Sequence, residues 1–469
     1  MACETDFIDC NNDELGWEQL FRLLIAELPS GQPAVRVCDS GGGGGATALP
    51  IGNFVFVNPL GNDGTGARED FHLPFLTLNG AKNSALAGDT IFVYGGTYNE
   101  ANTLHKGGVK WHFIGQPVLN LSAPIVWTDS GAFGQQFIEI EGNAIVNHIG
   151  LGSVLDVVNT NTVVNVTFKS VTSLAYASLR LQNGSGIINI NGRIECTLTN
   201  HTIYLDGNAS FTINAEEIFN SATSGITSCI YVKNNANIFT GLTVINSRLV
   251  QCDALFSAIR LDYGANTGTV VVNVSDKVHW TNLLGGTYPQ TNNAVIVMGG
   301  NLEVNGNIDG GNGHAIQMST ATHDKSLTHN GNATNNGNLP LVGHGQFDIA
   351  FWLSNKATIK LNGIYSSSNP DTVTHGGTTS KLTVDGRVEN SSTDVGTTTG
   401  VILENSAGTT IFESCVIVMD LGAGTPECVG SLVASNIKIF HSLGSNANAN
   451  VNITNQITGT SLIVDTDFE

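Results

Sequence analysis

Hydrophobic and polar positions alternate in short bursts along most of this chain. From about residue 111 onward an apolar-x-apolar triplet keeps returning, as Leu179-Arg180-Leu181, Ile203-Tyr204-Leu205, Ile230-Tyr231-Val232 and Ile259-Arg260-Leu261. It continues as Val295-Ile296-Val297, Ile316-Gln317-Met318, Phe351-Trp352-Leu353 and Val401-Ile402-Leu403, with Val373-Thr374-His375 a looser member. Steps between first members run from 21 to 36 residues and average about 28, the range in which solenoid repeats occur. Each triplet reads as a strand with its flanking residues on one face and its middle residue on the other.

A second motif, apolar-[Asn/Asp]-Gly, follows the triplet in several units: Ile190-Asn191-Gly192, Val304-Asn305-Gly306, Leu361-Asn362-Gly363 and Val384-Asp385-Gly386. Asn-Gly and Asp-Gly supply the positive φ of a tight change of direction. Two architectures use such a turn. Each unit is a run of hairpins in an antiparallel sandwich or prism, or it is one coil of a parallel β-helix. Variable steps beside a constant strand favour the coil, because one corner can hold an insertion while the stacked strands keep register. About ten coils spaced by ~4.8 Å would make a rod about 50 Å long.

Two other segments stand outside this repeat. Residues 54–100 read as strand, short helix and strand: Val55 and Val57 alternate with phenylalanines, Asn79 to Ala87 suits a helix stopped at Gly88, and Thr90 to Tyr94 is β-branched or aromatic throughout. This unit is expected to cap one end of the sheet body, residues 101–469. Before it, Asn12-Asp13 can cap a helix from Glu14 to Leu28, ended by Pro29-Ser30-Gly31. Leu15, Leu20, Phe21, Leu23, Leu24, Ile25 and Leu28 cover more than one stripe of that helix, so it should be buried, with Trp17, Leu20, Phe21, Leu24 and Leu28 as its anchor, against symmetry copies, a larger assembly or the main body. Residues 1–40 thus read as an attachment or oligomerisation segment, and 41–53, which begin with five consecutive glycines, as a flexible linker.

The cap carries a resemblance. Phe56-Val57-Asn58-Pro59, Gly61-Asn62-Asp63-Gly64, Pro74-Phe75-Leu76-Thr77, Ala87-Gly88-Asp89-Thr90-Ile91 and Gly96-Thr97-Tyr98-Asn99-Glu100 resemble the first coil of the pectin-lyase-like right-handed parallel β-helix proteins. That superfamily includes polysaccharide lyases, hydrolases and phage tailspikes. Gly95 departs from the pattern, standing where such sequences often have proline. The resemblance implies an all-β, right-handed parallel β-helix and is silent on chemistry, because the first coil carries no catalytic group. The order of helix, turn, short strand and glycine joint in residues 1–45 is similar in layout to virion-attachment segments of tailed-phage fibres and spikes. It implies a virion protein made in the host cytoplasm, joined through its N-terminus to other virion proteins. Such rods are commonly homotrimers.

Composition narrows the picture. Only 12% of residues are charged and 55 of 469 are glycine, against about 25% and about 7% in typical proteins. That mix suits a β-rich body with many turns. The formal net charge of −20 leaves no basic face for nucleic acid. There is no apolar run of membrane-spanning length, and Met1 to Asp6 lacks the cationic start of a secretory signal. The eight cysteines form no Cys-x-x-Cys pair, so buried thiols are expected rather than a zinc site. The glycine runs lack the Lys-Ser/Thr of a phosphate loop. No cofactor or metal is expected.

Candidate chemistry follows from stacking the triplets. The middle positions form an outer ladder of Arg180, Tyr204, Tyr231, Arg260, Ile296, Gln317 and Trp352, and the residues after the triplets form a second, with Gln182, Asp206, Lys233, Asp262 and Met298. Tyrosine faces stack on the apolar faces of sugar rings while charges and amides bind hydroxyls, so this stripe is a candidate surface for a host polysaccharide; a solvated or subunit-facing salt-bridge ladder is the alternative. Asp206 and Asp262, two coils and so roughly 9–10 Å apart, sit at the upper edge of the spacing used by inverting glycosidases. Lys233 between them should keep both ionised, which argues against a proton donor. Glu216, Glu217 and Asp253 are the carboxylates a lyase would need, but the repeat does not gather them. Asn62, Asp63 and Asp70 suit Asx turns better than a calcium site, and His323 and His329 are expected on the surface.

Overall fold

The computed structural model describes residues 54–335, except 102–103, 129–135, 151, 175, 223–226, 234–237, 254–256, 263–264, 282–292, 312 and 319–323, and then the strands between 357 and 465. Contacts divide the chain into Met1–Gly52 and Asn53–Glu469, and all that follows concerns the second unit. The helix expected at 14–28 with Trp17, the glycine joint, Trp352 and the triplets at 351, 373 and 401 lie outside the described residues.

The body is an all-β parallel β-helix. Each central coil has a short strand followed by a long one: Leu179–Leu181 then Ser185–Cys196, Ile203–Leu205 then Ser210–Asn220, Ile230–Val232 then Leu242–Cys252, Ile259–Leu261 then Thr269–Trp280. Short strands stack on short strands in one sheet and long strands on long strands in another. The pairing is parallel throughout these coils. That excludes hairpins, since parallel neighbours need a crossover, which the rest of the coil supplies. Register shifts between Ile190 and Arg193, Ser247 and Leu249, and Asn273 and Lys277 bend the long strands into two legs, as a bulge does.

Alternation fills the core. Leu179, Leu181, Ile203, Leu205, Ile230, Val232 and Ile259 are fully buried, as are Ile188, Ile213, Ile245, Val272 and Val304 on the long strands. Each such side chain contributes about 1.5–3 kcal/mol. Cys196, Cys229 and Cys252 are free and buried among them, acting as small hydrophobes.

Three of the four Asn/Asp-Gly motifs do what their chemistry requires. Gly306, Gly363 and Gly386 have φ of +133°, +150° and +142° and stack with Gly331 between them. A Cβ on Gly363 would lie 2.0 Å from the Gly331 carbonyl oxygen, and one on Gly386 2.1 Å from that of Gly363. Ile190-Asn191-Gly192 does not belong to this stack, because Asn189, not Asn191, is in register with Asn214.

Residues 54–100 form the expected strand, helix and strand, with a shorter helix. Strand Phe54–Val57 pairs with Thr90–Val93 and that with Lys110–Phe113, while helix α1 spans Leu78–Ser84. Thr77 is its N-cap, its hydroxyl accepting from the Gly80 N–H at 2.9 Å. Lys106 donates to the carbonyls of Lys82 and Ala85 at the other end, at 2.9 and 2.6 Å. A cation there satisfies orphan carbonyls and closes the helix. Buried Asp89 accepts from Arg68 at 2.6 and 2.7 Å, and this pairing holds its carboxyl below the usual range. Asn62 and Asp70 make Asx turns with Gly64 and His72, and Asp63 accepts from the Leu76 and Thr77 N–H groups. The Oδ1 atoms of all three thus accept from the loop's own backbone, and Asp63 Oδ2 accepts from the Thr77 hydroxyl at 2.6 Å.

Candidate functional site

The short-strand sheet builds the first candidate. Asp156, Arg180, Tyr204, Tyr231, Arg260, Ile296 and Gln317 are register partners, one per coil. The register expected from the triplets is therefore in place from Arg180 to Gln317, but Tyr231 and Ile296, expected on the outer face, are buried. Asp156 extends it by one coil. Its triplet, Leu155-Asp156-Val157, precedes Leu179 by a step of 24, so the same pattern reveals it.

The side chains of this ladder pair with unlike neighbours. Arg180 bridges to Asp156 at 3.2 Å, and burial holds the Asp156 carboxyl above its usual range despite that cation. The Arg180 guanidinium lies 5.9 Å from the Tyr204 ring centroid, and the Lys233 ammonium 5.8 Å from it. Tyr204 thus sits between two cations, at cation–π distance of both. Tyr231 differs. It is only 7% exposed, its hydroxyl donates to Asp262 at 2.7 Å, and His201 stacks on its ring at 3.8 Å and 12°. His201 accepts from the Ser228 N–H and burial pushes its pKa down to about 3, so it covers Tyr231 as a neutral ring. Arg260 lies near the same ring and reaches Asp262 at 3.3 Å. Arg180, Tyr204 and Lys233 are half-buried, as are Arg260, Asp262 and Gln317.

The second row needs correction. Gln182, Asp206 and Met298 are buried rather than outward-facing. The chain turns a corner immediately after the triplet, and Asp206 folds back to accept from the Gly207 N–H at 2.8 Å, where Gly207 has φ +54°. Burial also raises the Asp206 carboxyl, outweighing Lys233 and Arg180, so Lys233 does not decide its ionisation as the charge alternation suggested. His329 is corrected too. It is fully buried, with ring nitrogens 2.7 Å from the Tyr365 hydroxyl and 2.9 Å from the Gly306 carbonyl, and burial lowers its pKa to about 4.

A second feature lies on the long strands and was not singled out from sequence. At their bend is an open groove of about 630 Å³. Along it run Asn189, Asn214, Asn246, Asn273 and Asn305, one per coil. Each amide donates to the Oδ1 of the coil before: Asn214 to Asn189 at 2.8 Å, Asn246 to Asn214 at 2.7 Å, Asn273 to Asn246 at 2.8 Å, Asn305 to Asn273 at 2.7 Å. The chain of amides continues through Asn330 and Asn362 at 2.6 Å each. Beyond the bend the groove is walled by Asn191, Glu216 and Ser275. The signal is an apolar-Asn pair in each of the five groove coils, with a following glycine only at Asn305.

Beside the groove, Arg248 gathers three carboxylates. It bonds Glu216 at 2.7 Å and Asp276 at 3.3 Å, and it also pairs with Glu217. Asp253 is elsewhere, accepting from Gln251 and Thr281. Among the described residues no His, Cys, Asp and Glu group has the arrangement of a metal site, and no helix is long and apolar enough to cross a membrane. No family model, curated protein or solved structure matches this chain.

Proposed function

We propose that this protein is a virion appendage, a tailed-phage spike or fibre, whose pectin-lyase-like right-handed β-helix presents a surface for host polysaccharide. Residues 1–40 join it to other virion proteins, and the chain assembles as a homotrimer. The observation that carries the binding reading is Tyr204, half-buried between Arg180 and Lys233. An aromatic face flanked by donors suits a sugar ring, whose C–H face stacks while its hydroxyls accept hydrogen bonds. Tyr204→Ala should weaken binding to bacterial surface polysaccharide by about tenfold, equivalent to ~1.4 kcal/mol, with the melting temperature little changed. Unaltered binding by the variant, or a glycan array without a binder, would sink the reading. Light scattering of the full chain tests the trimer, and a monomer would refute it.

The raised Asp206 carboxyl favours a second reading, a polysaccharide lyase or glycosidase on the same coils. Against it stands the 2% exposure of Asp206, which gives a substrate no approach. New reducing ends or ultraviolet absorbance on incubation with acidic polysaccharides, abolished by Asp206→Ala, would establish the enzyme over the binder.

A further inference from the structure

We infer that the groove at the bend of the long strands is a second glycan site, one that takes a neutral, extended, polyhydroxylated chain lying along the asparagine ladder. This goes beyond the short-strand reading and does not depend on Tyr204.

The spacing comes first. Consecutive asparagines are stacked rungs, so the groove repeats its polar groups every ~4.8 Å over five coils, about 19 Å from first to last. That repeat is close to the advance of one sugar in an extended chain. A polymer with a regular repeat can therefore meet equivalent groups at successive units. The groove's 630 Å³ is also within the range of about 300–1,000 Å³ typical of ligand sites.

The chemistry of the ladder comes second. A primary amide has two N–H donors and two acceptor lone pairs. In Asn214 and Asn246 the ladder uses one donor and one acceptor of each. On those rungs one donor and one acceptor remain for the groove, whereas Asn305 also donates to Glu303 at 3.0 Å. A hydroxyl is the group that both donates and accepts, so a row of sugar hydroxyls matches a row of such amides. The ladder also fixes the orientation of every amide, since reversing one would place N–H against N–H. Bonding positions are thus set before a ligand arrives, which lowers the ordering cost of binding.

Charge selects the class of glycan. Glu216 lines the groove, and with Glu217 and Asp276 it surrounds the single cation Arg248. Three carboxylates about one guanidinium leave the wall net negative, on a chain of net charge −20. A uronate- or phosphate-bearing chain would be repelled. The apolar neighbours suit a sugar as well. Two residues before the asparagines, on the same strand face, stand Ile187, Thr212, Val244, Val271 and Glu303, so three of the five rungs set an aliphatic side chain beside the amides and the last adds a carboxylate.

The test uses the full chain and hexamers of β-1,4-linked glucose, mannose and N-acetylglucosamine, with hexagalacturonate as the acidic probe, titrated by calorimetry. Ser275 is exposed on the groove wall, outside both the core and the ladder. Ser275→Trp should fill the groove, leave the melting temperature unchanged and weaken neutral-hexamer binding by about tenfold or more. Asn246→Leu should weaken it as well, while Tyr204→Ala leaves it intact. Absence of binding by every neutral hexamer at millimolar concentration, preference for hexagalacturonate, or full binding by Ser275→Trp would each overturn the inference. If binding is lost with Tyr204→Ala and kept with Ser275→Trp, the groove proposal falls and the short-strand reading stands.

Discussion

The two outer ladders of this β-helix solve the same stacking problem in opposite ways. On the short strands the rungs vary, apart from the adjacent Tyr204 and Tyr231, and side chains pair with unlike groups: Asp156 with Arg180, Tyr204 with Arg180 and Lys233, Tyr231 with His201 and Asp262. On the long strands the same amide repeats from Asn189 to Asn362, each donating to the last. An unlike ladder consumes its own donors and charges, and at Tyr231 it closes over itself. A ladder of identical amides is self-complementary with functionality to spare. The groove is accordingly on the uniform side, although Tyr204 and Tyr231 are on the other.

The sharpest way to break the comparison is through the glycines that follow the asparagines. Gly363→Ala places a Cβ 2.0 Å from a backbone oxygen at φ +150°, so the stacked coils must part. A loss of about 3 kcal/mol or more in chemical denaturation is expected, larger than for any single exposed ladder residue on either face.

Acid should strain both ladders through their histidines. His201 covers Tyr231, and His329 stands next to Asn330. Both are buried and neutral, with pKa values lowered to about 3 and about 4. In the unfolded chain each binds a proton below about 6.5. The unfolded state therefore holds more protons from about pH 6.5 down to each folded value, and stability falls with pH across that window; above it neither histidine contributes a slope. The expected slope is on the order of 1.4 kcal/mol per pH unit for each group. Replacing one of them, as in His329→Gln, should remove about half of the histidine contribution, measured as unfolding free energy against pH.

The smallest effects separate the faces most directly. Asn246→Leu deprives both Asn214 and Asn273 of a partner and should cost about 1 kcal/mol. Arg180→Met leaves the Asp156 carboxylate without its cation; because Arg180 is 41% exposed, a cost of about 0.5–1 kcal/mol is expected. Adding salt should shrink the difference between Arg180→Met and the parent, and should leave that of Asn246→Leu unchanged. Equal salt dependence would mean that the two ladders do not differ in kind.

Much of this molecule is determined by sequence alone. Strand alternation has a period of two and coils repeat at recognisable steps, so the triplets carried the fold and the Arg180–Gln317 ladder. The Asn/Asp-Gly pairs likewise carried the glycine stack at 306, 363 and 386. These are local properties, decided by neighbouring residues and by backbone sterics. Three things belonged to tertiary structure. Burial of Asp206 depends on where the corner turns, and so does the carboxyl shift that overrides Lys233. The covering of Tyr231 depends on His201, a residue of the preceding coil. The amide ladder depends on a register offset by a bulge, which is why Asn189 rather than Asn191 joins it. The last two join residues about 25 or more positions apart. Desolvation, stacking and register exist only once the coils are laid on one another.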